Sequence, residues 1–147
     1  MTLENAKKIL KYFGILIIIG AIVSMVMGVL MTLGGGYAAT SMPEVQSNEE
    51  YSAAAGITMI AGVAIAVGGL FRLFQGLFSL RASKNSRYGK TAWIFSILGV
   101  IAAIGSAIST FTSRTADTAT IIGQILAIIV SICVLFAAKI VKDDYVA

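Results

Sequence analysis

Four long apolar runs, at about residues 13–33, 53–80, 91–111 and 118–141, constrain this chain more than any other feature of its sequence. Each reaches the ~20 residues that a helix needs to cross a hydrocarbon layer ~30 Å thick. A helix satisfies all its backbone hydrogen bonds within one segment, so a run of this kind in lipid is expected to be helical. Hydrophobic residues make up 58% of the chain and charged residues 12%, against roughly a quarter charged in soluble domains. A water-soluble core cannot absorb so much apolar surface. The expected fold is therefore all-α, an integral membrane four-helix bundle, with residues 1–147 forming a single transmembrane domain.

The charges orient these runs. Lys7, Lys8, Lys11, Arg72, Arg81, Lys84, Arg87, Lys90, Lys139 and Lys142 fall towards one side, and Arg114 falls on the other. Basic residues beside spans collect in the cytoplasm, which predicts cytoplasmic termini and a cytoplasmic middle loop in a multi-pass protein of the cell membrane. Glu44, Glu49, Glu50 and Asp117 then face outward. Tyr12, Tyr88, Tyr145 and Trp93 mark the inner interface, with Tyr37 and Tyr51 at the outer one. The lysines before the first run resemble the charged start of a signal peptide, but the run exceeds the usual 7 to 15 residues, so an uncleaved first span is expected. Gly34-Gly35-Gly36 is read as the end of that helix and Tyr37 to Glu50 as a flexible outer loop.

Small residues predict the packing. Gly62, Gly69 and Gly76 recur every seventh residue on one face of span two, with Phe71, Phe74 and Phe78 opposite, facing lipid. Ladders of small residues four apart let helix backbones approach closely. Gly20, Ser24 and Gly28 form one in span one, Gly99, Ala103 and Ala107 one in span three, and Ala119, Gly123, Ala127 and Ser131 one in span four. The short link from Thr112 to Thr118 makes spans three and four antiparallel neighbours, with Asp117 or Thr118 as the cap of span four. Laying span one on span three with a shift of 79 brings Gly20 onto Gly99 and Gly28 onto Ala107. That admits two parallel-repeat helical hairpins, although glycine-bearing spans also align this way by chance.

The chemistry available is narrow. The chain has no histidine and one cysteine, Cys133, inside the fourth run. Met25, Met27 and Met31 read as packing residues rather than a soft-metal site, so no metal or other cofactor is expected. Paired carboxylates in a span, a nucleophile with its base and a phosphate-binding glycine loop are all missing, and an enzyme is not expected. The net charge of +4 and pI near 9.4 follow from topology and do not point to nucleic acid. Small proton-coupled exporters of four spans rely on an embedded carboxylate, and these runs hold no Asp or Glu.

Arg72 is the residue that chemistry singles out. An arginine deep in a span costs ~2.5–3.5 kcal/mol on insertion scales, so it needs a reason. It either snorkels to lipid headgroups, contacts an anion, or pairs with a carboxylate of a partner subunit. Gln75 and Gln124 are expected to hydrogen-bond between helices. The cytoplasmic cluster Arg81, Lys84, Arg87 and Lys90 suits anionic lipids or an acidic partner as well as topology.

With its segment Leu80-Arg-Ala-Ser-Lys-Asn85 after a glycine-rich second span, the chain resembles small four-span membrane proteins of Gram-positive bacteria to which no activity is assigned. The resemblance implies architecture and carries no functional residue. The function expected is that of a non-enzymatic polytopic membrane protein that packs with itself or with a partner membrane protein, in an assembly or accessory role. A small channel or transporter for an anionic solute, using Arg72 in a groove that Gln75 would also line, is the alternative.

Overall fold

The computed structural model describes residues 1–112 and 118–146. Among these residues there is no strand, and 96% of them are helical. In order come α1 (Leu3–Ser41), α2 (Pro43–Ser47), α3 (Glu49–Lys84), a 3-10 turn (Ser86–Tyr88), α4 (Gly89–Thr112) and α5 (Thr118–Val146). All but α2 are long and apolar enough to cross a membrane. Only 17% of the most apolar window of each is buried inside the protein, so the rest requires a non-aqueous surrounding.

The chain divides into two compact units, Met1–Ile17 with Phe74–Ala147, and Ile18–Leu73. The second is an antiparallel helical hairpin. Ala21, Gly28 and Gly35 of α1 are buried, as are Ala55, Gly62 and Gly69 of α3. Both sets step by seven. A Cβ at Gly28 would lie 2.5 Å from the backbone nitrogen of Ala66 and 2.6 Å from the carbonyl oxygen of Gly62. One at Gly35 would lie 2.8 Å from the Ala55 carbonyl, and one at Gly69 3.0 Å from that of Ala21. A seven-residue repeat drifts only ~20° per two turns around a helix, so one stripe keeps facing its partner along its whole length. Glycine there brings backbones into direct contact, the main source of helix affinity in lipid. Thr32 adjoins the same crossing and donates its hydroxyl to the Gly28 carbonyl at 2.8 Å, leaving no loose polar group.

Two expectations fail in this hairpin. Gly34-Gly35-Gly36 does not end α1, which continues to Ser41 because Gly35 is a packing position against α3. Nor is the stretch from Tyr37 to Glu50 a flexible loop. Pro43 opens α2 at a position where a missing N–H costs nothing, the Gln46 side-chain amide donates to the Thr40 carbonyl at 2.7 Å, and the Asn48 side chain accepts the Glu50 N–H at 3.0 Å to start α3.

The first unit gathers parts of four helices around one core. Ala6 and Leu10 of α1, Ala82 of α3, Ala92 of α4, and Val134, Ala137, Ala138 and Val141 of α5 are closed to solvent. Gly14 lies against α3, where a Cβ would stand 3.1 Å from the Gly76 carbonyl. α4 and α5 are neighbours, as the short link requires, tied by the Gln124 amide, which donates to Ser106 at 3.1 Å and Thr110 at 3.4 Å. The proposed cap at Asp117 and the outward placement of Arg114 lie outside the described residues. At the start of α1, hydrogen bonding to Lys8 at 2.8 Å holds the Glu4 carboxyl below its ordinary range, but both groups are fully exposed and the pair adds little stability.

Candidate functional site

The basic candidates after span two group around the 3-10 turn in the first unit. The Asn85 side chain accepts the Arg87 N–H at 3.0 Å, which turns the chain from α3 into α4. Gly89 lies directly on α5, its would-be Cβ 2.7 Å from the nitrogen of Lys142. Around this contact Ser86 donates to Asp144 at 3.1 Å, and the Lys142 ammonium stands 4.2 Å from the centre of the Trp93 ring while pairing with Asp143 at 3.5 Å. Arg81 lies 6.0 Å from the Phe78 ring and 5.9 Å from that of Tyr88, at the outer limit of a cation–π contact. Arg81, Lys84, Arg87 and Lys90 are all exposed. Their ammonium and guanidinium groups are available to headgroups or an acidic surface.

Gln75 is placed quite differently from these. It is 4% exposed and presses on Gly99, where a Cβ would run into its amide. Gly99 is thus the position that makes room for Gln75. Ser96 and Ser79 are likewise fully enclosed. Ser96 donates to the Ala92 carbonyl at 2.7 Å, while the Ser79 hydroxyl, beside Gly14, has no hydrogen-bond partner among the described residues. Phe78 does not face lipid as expected. It stacks on Phe95 with ring centres 5.1 Å apart and packs against the apolar core.

Arg72, in the second unit, is exposed on α3. Among the described residues the ion pairs are Lys8 with Glu4 and Lys142 with Asp143, so Arg72 has no carboxylate partner there. No charged residue lies between Glu50 and Arg72. That interval rises about 33 Å, close to the ~30 Å of a hydrocarbon layer, which puts Arg72 at the C-terminal end of the apolar part of α3.

The packing candidates divide. Gly28, Gly62, Gly69 and Gly76 are buried at helix contacts, and Ala103 and Ala107 are 4% and 5% exposed. Gly20 and Gly123 are exposed, with nothing within 4 Å of a would-be Cβ, and Ser24 is half-buried. The four-residue ladder of span one therefore is not its packed face. Turning a helix by four residues shifts the stripe by about 40°, and Gly20 rotates out of the contact that Ala21 makes. The shift of 79 consequently pairs an open Gly20 with a packed Gly99, and the two positions do not play the same part. Gly14, Ala21, Gly35 and Ala55 are the positions sequence reasoning missed. Extending the seven-residue step of span two back to Ala55, and applying the same step to span one, would have found them.

These features define an all-helical protein with four helices able to span a membrane and a glycine-packed hairpin at α1 and α3. Comparison with family models, with curated proteins and with solved structures finds no match.

Proposed function

We propose that the chain is a non-enzymatic, multi-pass protein of the cell membrane, with both termini cytoplasmic, that works by lateral association with itself or with a partner membrane protein. The observation that supports this most is the set of unfilled glycines. Gly20, Gly34, Gly56, Gly68, Gly105 and Gly123 stand in helices with nothing among the described residues within 4 Å of a would-be Cβ. Glycine inside a helix costs about 1 kcal/mol against alanine, and no contact among the described residues accounts for it at these six places. An approaching helix would account for it, since small residues are what let backbones meet in lipid.

The test is cross-linking in native membranes together with identification of what copurifies in mild detergent. Gly20→Leu and Gly123→Leu are expected to keep the melting temperature of the wild type and to lose most of the cross-linked or copurifying species. Association undiminished in both variants sinks the reading. Transport of an anionic solute is the weaker alternative, because Gln75, which was to share the site with Arg72, is enclosed against Gly99 and offers no open polar wall.

Orientation is tested separately by single-cysteine labelling of intact cells in a Cys133→Ala background. Positions 46 and 113 should react with an impermeant reagent, while 86 and 145 stay protected until the cells are opened. Reaction at position 86 in intact cells reverses the assignment.

A further inference from the structure

The outer face of α3 in the hairpin unit carries a shallow apolar groove along Met59, Ile60, Val63, Ala64, Val67 and Gly68. Its floor is low because Ala64 and Gly68 offer almost no side chain, and nothing stands within 4 Å of a Cβ placed on Gly68. The groove rises about 14 Å along the helix. One turn beyond Gly68, and therefore next to it on the same face, is the exposed Arg72. The groove is apolar along its length and ends at a positive charge that no carboxylate of the described residues neutralises.

We propose that this groove and Arg72 together bind an anionic phospholipid of the inner leaflet, an acyl chain lying along Gly68, Ala64 and Ile60 and the headgroup phosphate held by the Arg72 guanidinium. Charge decides the occupant. The alternative, a second copy docked on the same face, would be related by an axis along the membrane normal, because all copies insert with one orientation. Such an axis brings Arg72 towards its own copy at the same depth, two like charges at the edge of hydrocarbon with no acidic residue of any span nearby. A phosphate satisfies the same arginine through its forked donors, and a flexible chain fits a groove too shallow for bulky side chains. Arg72 stands at the inner end of the charge-free part of α3, where inner-leaflet phosphates lie.

The experiment measures lipid retained on the purified full-length protein by native mass spectrometry, with thermal shift as a second readout. Detergent micelles are doped with phosphatidylglycerol, with phosphatidylcholine, or with inorganic phosphate alone. Wild type should retain phosphatidylglycerol and gain several degrees from it, and gain nothing from the other two. Gly68→Leu, which fills the groove without touching charge, and Arg72→Gln should each lose about tenfold in retention, while Arg72→Lys loses less. Because the space over Gly68 is open, the lipid-free melting temperature of Gly68→Leu should equal that of wild type, which separates a filled groove from a damaged fold. A triple variant with Lys84, Arg87 and Lys90 changed to Gln should still bind.

Equal retention by Gly68→Leu and wild type overturns the proposal. So does equal retention of phosphatidylcholine, or a thermal gain from inorganic phosphate alone, which would leave a plain anion site. A dimer peak that Gly68→Leu abolishes would make the groove a contact between copies and likewise overturn it. None of these outcomes bears on the association expected at Gly20 and Gly123.

Discussion

Gly28→Leu is expected to pull α1 and α3 apart and to be among the most costly single changes in the hairpin. The atoms its side chain would meet are backbone atoms, the nitrogen and Cα of Ala66 at 2.5 and 2.9 Å and the carbonyl oxygen of Gly62 at 2.6 Å. Backbone cannot rotate aside as a side chain does, so the two helices must separate along several turns and give up the contacts at Ala21 and Gly35 as well. Overpacking a well-filled core costs about 1–3 kcal/mol, and Gly28 belongs at the top of that range. Gly62→Leu should behave alike, since a Cβ there would stand 2.6 Å from the backbone nitrogen of Thr32. Gly69→Leu should be milder, because the nearest atom, at 2.7 Å, belongs to the flexible Met25 side chain. Gly20→Leu is the control on the open face. Thermal unfolding in detergent ranks the four, and a Gly28→Leu protein as stable as Gly20→Leu would disprove the seven-residue contact.

The other large effect is expected at Gly89. Its backbone is ordinary right-handed helix, with φ −57° and ψ −42°, so glycine is required there for space and not for conformation. A Cβ would meet the nitrogen and Cα of Lys142 at 2.7 and 2.8 Å and the carbonyl carbon of Val141 at 2.9 Å. Gly89→Leu should lift the end of α5 from the turn, open the enclosed Val141 and Ala92, and break the Ser86 contact to Asp144 and the Lys142 contact to Trp93. A loss of about 3 kcal/mol is expected. Ser86→Ala removes one exposed hydrogen bond and should change stability by less than about 0.5 kcal/mol. Proteolysis of the C-terminal segment in detergent checks the mechanism. If Gly89→Leu loses stability without faster cleavage near Lys139 to Tyr145, the displacement of α5 is not the cause.

How legible the candidate site was depended on the residue. Gln124 was expected to bond between helices and it does, because a lone amide among apolar positions has few other partners. Gln75 carried the same expectation, yet what decides its surroundings is Gly99, a residue on another helix that had been read only as part of a ladder. Arg72 announced itself as a charge in an apolar run, but its exposure and the open groove beside it depend on which neighbours leave that face uncovered.

The sequence by itself determined the number of long apolar helices and the all-α class, because hydropathy adds up residue by residue and needs no knowledge of neighbours. It could not decide which small residues are buried. In lipid a leucine facing a helix and a leucine facing an acyl chain are equally apolar, so no hydrophobic contrast marks the packed face, and every span here carries more than one small-residue stripe. Only the tertiary structure chose the step of seven through Gly14, Ala21, Gly28 and Gly35 over the step of four through Gly20, Ser24 and Gly28. The physical reason is backbone approach. α3 presents its own seven-residue stripe, and two antiparallel helices stay in contact over many turns only where both stripes drift together. The same choice carried α1 through its three glycines, since Gly35 finds in Ala55 and Met59 the contact that an isolated helix would lack.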